Sequence, residues 1–204
     1  MKSIIFEGGL GVIALIFGFL LGLNLFRGIF FDVWVLLRII LFTVPLLIFY
    51  FILKSLPFEN LRKVDRLVFE FVREYMNGFS IWQIAAISLS AGLGEELLFR
   101  GLLQNGILIK SGFQELINNS TVDVLIWNRA SFYSVIVVIF VSILFGAAHA
   151  LTKTYFVIAS IISIYFGVIL LMTNNIIIPI AVHALYDFVV IVFIMWRVSD
   201  LKGT

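Results

Sequence analysis

The stretch 84–104, IAAISLSAGLGEELLFRGLLQ, decides the fold because it places three charged side chains inside an otherwise apolar segment. The charged residues are Glu95, Glu96 and Arg100, and the apolar segment around them covers residues 79–109. A helix needs roughly 20 predominantly apolar residues to cross a bilayer, and this segment is longer. Ionisable groups inside such a helix are costly in lipid, and they mark sites that face other helices or a hydrated cavity.

The composition of the whole chain places it in a membrane. The sequence has 204 residues, of which 62% are hydrophobic and 13% charged, and its mean hydropathy is +1.15. Soluble domains carry about 25% charged residues. Cysteine is absent, which excludes disulfides and cysteine-based metal or nucleophile sites. The net charge of +2 comes mainly from lysines and arginines beside the apolar segments, so we expect a lipid bilayer as partner and no nucleic acid.

The apolar segments predict an all-α, polytopic transmembrane bundle of about six spans. We interpret the chain as one membrane domain, in which residues 1–78 hold two spans and an amphipathic helix, and residues 79–204 form the core that carries the ionisable groups. The predicted spans are residues 8–26, 34–53, 79–109, 132–150, 155–172 and 175–196.

Residues 54–78 predict an interfacial amphipathic helix. We expect it to be a linker on the lipid headgroups, with a specific lipid or partner site as the alternative. Lysines and arginines are concentrated on its side of the membrane, which predicts that both termini are cytoplasmic and that residues 111–130 form a short external loop. The apolar positions of this helix are Leu61, Val64, Leu67, Val68, Phe71 and Val72.

Helical spacing separates the two adjacent acids of the third span. Glu96 and Arg100 are four residues apart on one face, so they can form an ion pair. Glu95 points about 100° away around the helix and is free for another task.

Both histidines of the chain lie in predicted spans, within FGAAH at residues 145–149 and HALYD at residues 183–187. Phe145 lies on the same face as His149 and can wall one side of its ring. Asp187 lies one turn after His183, where it can orient that ring or share its site. A single membrane histidine often serves only as an interhelical hydrogen-bonding group. Three spans with ionisable groups, however, favour convergence on one hydrated pocket.

Three motifs resemble those of a known family. GEELLFRG resembles the EExxxR motif, FGAAH the FxxxH motif and HALYD the HxxxN/D motif of the CPBP family of intramembrane proteases, which includes the type II CAAX prenyl endopeptidase. The motifs occur in the family's order, and the resemblance covers residues 81–192. It implies that Glu95 and His149 activate the hydrolytic water and that His183 and Asp187 stabilise the oxyanion. Glu96 and Arg100 then serve the scaffold.

Asp187 departs from the asparagine that is common in the prenyl endopeptidase branch. An ionised carboxylate cannot donate a hydrogen bond to an oxyanion, so we expect Asp187 to orient His183 or to be protonated. Two histidines and a carboxylate are also the ligand set of some catalytic zinc sites. We favour no cofactor and a metal-free glutamate mechanism, since HExxH is absent. If zinc is bound instead, its ligands would come from Glu95, His149, His183 and Asp187.

The depth of the site bears on its access. Glu95 is about 24 Å along its helix from Phe79, whereas His149 lies close to the cytoplasmic end of its span. We therefore expect residues 79–86 to lie in the interface, so that the pocket opens to the cytoplasm.

These features predict an intramembrane endopeptidase that cuts a membrane-associated or lipidated peptide. The resemblance also allows a non-enzymatic bacteriocin-immunity or scaffold protein that binds a partner through the same pocket. A proton or ion transporter would use buried acids and histidines too, but the sequence lacks the inverted repeat that many transporters display.

Overall fold

The computed structural model describes residues 2–26, 28–112 and 129–200 of the chain. Within these residues every regular element is helical, which confirms the predicted all-α class. The predicted external loop and the two chain ends lie wholly or partly outside the described residues. The elements are α1 (Lys2–Leu20), α2 (Val33–Ser55), α3 (Glu59–Tyr75), α4 (Ile81–Glu96), a π-helical segment (Leu97–Gln104), α5 (Asn105–Lys110), α6 (Arg129–Ala148), α7 (Lys153–Thr173) and α8 (Ile177–Asp200).

The surface of the bundle is that of an integral membrane protein. Helices α2 and α7 and the stretch Ile177–Val198 of α8 are long and apolar enough to cross a membrane, and α1 and α6 contribute shorter apolar stretches. Phe19 and Trp82 are more than 80% exposed, whereas Glu96 and Arg100 are fully buried. This reversal of the usual pattern fits a protein whose solvent is lipid. The number of spans and the orientation of the termini stay predictions.

Polar side chains at the helix starts satisfy backbone groups that would otherwise lack partners. The Asp32 side chain accepts a hydrogen bond from the Val35 amide at the start of α2, and Thr152 accepts one from the Tyr155 amide at the start of α7. Ser80 and Gln83 form a capping box at α4. These caps fix the residues at which α2, α4 and α7 begin.

Glycines allow α4 to lie unusually close to α1 and α8. A Cβ atom at Gly94 would collide with the backbone carbonyl of Glu7 in α1. At Gly92, a Cβ atom would come within 2.7 Å of the carbonyl oxygen of Ile180 in α8. Small residues at helix crossings permit this backbone approach in membranes. The crossings bring the acids of α4 next to the N-terminal part of α1 and the histidine of α8.

The amphipathic helix forms where the sequence predicts it. Helix α3 lies within residues 54–78 and buries Val64 and Val72. Its Asp65 carboxylate is 2.9 Å from the Lys54 ammonium near the end of α2 and 3.5 Å from the Arg197 guanidinium in α8. These contacts hold α3 against the same end of two transmembrane helices.

The glycine crossing yields a test of the packing. Gly94→Ala inserts a methyl group against backbone that cannot rotate away, so we expect it to destabilise the bundle by about 1–3 kcal/mol. Gly9→Ala is the matched control, because a Cβ atom there meets nothing within 4 Å. Both variants gain the helix propensity of alanine. Thermal unfolding in detergent micelles measures the difference, and equal midpoints for the two variants would contradict the close crossing.

Candidate functional site

A cavity of about 530 Å³ lies between the helices, and its walls are mostly apolar. The apolar face of α3 forms one wall, through residues that include Val68 and Phe71. A mainly apolar cavity with a few convergent polar groups is typical of a binding or active site. The polar side chains that line it are Glu7, Tyr50, Lys54, Asp65, Glu95, His149, Tyr155, His183, Tyr186 and Asp187.

Glu95 lies between the two histidines at the end of α4. Its Oε1 atom is 3.7 Å from Nε2 of His149, and its Oε2 atom is 4.0 Å from Nε2 of His183. These separations exceed those of direct hydrogen bonds, and polar contacts of this length are commonly bridged by water. The structure thus brings together three of the predicted site residues from α4, α8 and the end of α6.

His149 is held from behind by the last turn of α6. Its Nδ1 atom is 2.8 Å from the carbonyl oxygen of Phe145, and the two rings stack with centroids 4.3 Å apart. Because a carbonyl only accepts, Nδ1 carries the proton and donates. In the neutral ring Nε2 is then an acceptor that faces Glu95. The predicted wall of Phe145 against His149 is confirmed.

His183 is oriented mainly by Glu96. Its Nδ1 atom is 2.9 Å from Oε1 of Glu96, whereas its Nε2 atom is 3.5 Å from Oδ2 of Asp187. The sequence predicts that Asp187 orients His183 or is protonated, and that Glu96 serves the scaffold. Glu96 makes the shorter contact with His183 and also pairs with Arg100. The opposite face of the imidazole stacks on Phe166, with ring centroids 4.9 Å apart.

Arg100 is fully buried and links the supports of both histidines. Its Nε atom is 3.1 Å from Oε2 of Glu96, which confirms the predicted ion pair. It donates to the carbonyl and hydroxyl oxygens of Ser163 in α7, at 2.7 and 2.9 Å. The guanidinium also lies 5.2 Å from the ring centroid of Phe145 and 5.5 Å from that of Phe166. These distances are in the range of cation–π contacts.

Sequence reasoning missed three residues of the site. Glu7 reaches the cavity from α1, and the only signal for it was an acid in the first apolar segment. Phe166 and Ser163 support the site from α7, and no spacing within one helix indicates either contact.

The expectation of no cofactor stays a prediction. Among the described residues no group of three or more histidine, aspartate or glutamate side chains is arranged to hold a metal ion. Glu95, His149, His183 and Asp187, the ligands expected if zinc is bound, all line the cavity.

One comparison with known proteins identifies a family. A family model described as "Type II CAAX prenyl endopeptidase Rce1-like" matches residues 77–189, which is more than half of the chain. The match includes Glu95, both histidines and Asp187. No curated protein and no solved structure matches the chain.

The buried ion pair gives a prediction about stability. Arg100→Met leaves the Glu96 carboxylate buried without its cation, so we expect a loss of about 3–5 kcal/mol. Arg73→Met, on the exposed face of α3, should change stability by no more than about 0.5 kcal/mol. Glu96→Gln combined with Arg100→Met removes both charges and should recover part of the loss. Unfolding in detergent measures all three, and Arg100→Met as stable as Arg73→Met would contradict the role of the pair.

Proposed function

The chain belongs to the Rce1-like family of type II CAAX prenyl endopeptidases, and we propose that it is a glutamate-type intramembrane endopeptidase. In this proposal Glu95 and His149 activate a water molecule that attacks a peptide carbonyl in the cavity. The observation that carries the proposal is the 3.7 Å separation between the Glu95 carboxylate and Nε2 of His149.

The geometry of Glu95 and His149 supports activation of water. Both groups present acceptors to the same space, because Nδ1 of His149 already donates to the Phe145 carbonyl. A water between them can donate one hydrogen to each, which directs its oxygen lone pairs away toward the cavity. A carboxylate beside a histidine is a typical general base for hydrolysis. Glu95 accepts the proton of the water as the new C–O bond forms.

His183 is the proposed oxyanion donor. Its Nδ1–H is engaged by Glu96, so the imidazolium form directs its Nε2–H into the cavity. Such a preorganised donor stabilises the negative charge of a tetrahedral intermediate. Asp187, at 3.5 Å from the same nitrogen, holds the ring in place and, if protonated, adds a second donor.

The walls of the cavity support an apolar, membrane-associated substrate. Leu67 and Phe71 of α3 line the cavity, and both are more than 40% exposed, so this wall continues onto the surface of the protein. A lipid chain or an apolar peptide can enter along such a wall without losing its apolar surroundings. We propose a lipidated or membrane-embedded peptide as the substrate.

We place the entrance on the cytoplasmic side. Lys54, which lines the cavity, lies near the end of α2, and its Asp65 partner also contacts Arg197 of α8. Lys153, at the start of α7, follows His149 closely in the sequence. Basic residues concentrate on the cytoplasmic side of membrane proteins.

Two variants test the proposed general base. We expect Glu95→Gln and His149→Ala each to lower turnover at least about 100-fold, since a positioned general base contributes about 10²–10⁴. The assay uses the purified protein in liposomes with one quenched fluorescent peptide, in farnesylated and unmodified forms. Glu70→Gln, an exposed acid on α3, is the control and should retain activity. Wild-type turnover by Glu95→Gln would contradict the mechanism, and peptide binding without any product would favour a binding-only protein.

A chelator separates the glutamate mechanism from a zinc mechanism. The proposed mechanism predicts unchanged cleavage after prolonged incubation with 1,10-phenanthroline and after dialysis. Metal analysis of the same sample provides the control. Activity that disappears with chelator and returns with added zinc would overturn the metal-free assignment while leaving the endopeptidase proposal in place.

A further inference from the structure

A further carboxyl group reaches the site from a helix that lies outside the matched family region. Glu7 of α1 lines the same cavity as Glu95 and both histidines. Its carboxyl and that of Glu95 face the same cavity and interact with each other electrostatically. Its Oε2 atom is buried and has no hydrogen-bond partner among the described residues. Residues 77–189, which match the family model, do not include Glu7.

The position of Glu7 is set by close helix packing. Gly94 lacks a side chain and contacts the backbone carbonyl of Glu7 directly. One turn further along α1, the Cβ position of Gly11 is 3.4 Å from the Cα atom of Gly94. Since Glu95 follows Gly94 in α4, this crossing holds Glu7 and Glu95 at the same level of the two adjacent helices, and both side chains line the cavity. The contact therefore depends on the helix backbones as well as on side-chain rotamers.

Among the described residues, the charged groups that act most strongly on Glu7 belong to the proposed catalytic centre. Glu95 faces it from α4, and His149 and His183 act on it electrostatically from the end of α6 and from α8. Two carboxylates in contact repel each other strongly in a poorly hydrated cavity, so such pairs hold a proton between them. A hydrogen bond between two carboxyl groups also requires that one of them carry a proton.

We propose that Glu7 is a positioning residue for catalysis that shares one proton with Glu95, so that the two acids act as a single proton store. The inference rests on the proposed function of Glu95 as general base. It assigns a chemical role to α1, one of the helices that lie outside the matched residues.

The Glu7–Glu95 pair accepts one proton and returns one proton in each reaction cycle. When the water oxygen forms its bond to the peptide carbonyl carbon, one water proton moves to Glu95, and the pair then holds two protons. When the C–N bond breaks, Glu95 gives one proton to the leaving amine nitrogen, and the pair returns to one proton. The remaining water proton stays on the new carboxylic acid and leaves to solvent. Glu7 acts through Glu95 in both steps.

The pH profile of Glu7→Gln tests the shared proton. Glutamine keeps the shape of the side chain and can donate to Glu95, but it has no proton to release. We expect kcat to fall at least about 10-fold, within the range for proton transfer by a positioned group, while KM changes less than about twofold. In the wild type the rate should fall at high pH with two ionisations, because both the carboxyl pair and the His183 imidazolium lose a proton. Glu7→Gln should leave only one ionisation in this alkaline limb, so that the rate falls less steeply, and Glu7→Asp should restore the second ionisation and part of the rate.

Two further variants make the outcomes distinguishable. Glu70→Gln controls for removal of an acid outside the cavity and should keep the wild-type profile. If Glu95→Gln is inactive while Glu7→Gln has wild-type kcat and an unchanged alkaline limb, the inference about Glu7 is wrong and the proposed function stands. If Glu95→Gln is active, the proposed function itself is wrong. Equal thermal unfolding of Glu7→Gln and Glu7→Asp would show that any difference in their profiles is chemical.

Discussion

The buried ion pair between Glu96 and Arg100 is the interaction on which the site depends. Burying two charges in lipid is costly unless each is paired and its remaining polar atoms are engaged. Here the carboxylate also holds His183 of α8, and the guanidinium reaches Ser163 of α7. The same guanidinium lies against the phenylalanine rings that stack on the two histidines. One ion pair thus connects α4 and the π segment with α6, α7 and α8, and it orients both imidazoles.

The local structure of the third span separates the roles of its acids. Glu95 and Glu96 end α4, and Arg100 lies in the π segment that follows. π-helical turns are rare in proteins, and many of those that occur lie at functional sites. Glu96 is directed to its internal partners, whereas Glu95 faces the cavity. Among the described residues, the histidine nitrogen nearest to its carboxylate lies 3.7 Å away. A structural acid and a chemically available acid can therefore be adjacent in sequence.

Sequence patterns predicted the contacts that lie within one helix and missed most of those between helices. The Glu96–Arg100 pair and the Phe145–His149 stack follow from a spacing of four residues, since helix geometry alone brings such side chains together. The contact of Glu96 with His183 joins residues 87 positions apart, and it depends on how α4 crosses α8. Glu7 was missed for the same reason, because its place depends on the crossing at Gly94. Counting residues along one helix places Glu95 about 24 Å from Phe79 but does not show how that helix crosses the others. The helix crossings bring Glu95 within 3.7 Å of His149.

The convergence of α4 and the end of α6 on one cavity is the central claim, and chemical cross-linking measures it most directly. The natural chain has no cysteine, so introduced thiols are the only targets for a short bifunctional thiol reagent. A double variant with cysteine at Glu95 and His149 should cross-link efficiently in membranes. Cysteines at Glu95 and Val135 should not, since Val135 lies about 21 Å farther along α6. Efficient cross-linking of the second pair, or none of the first, would contradict the shared site.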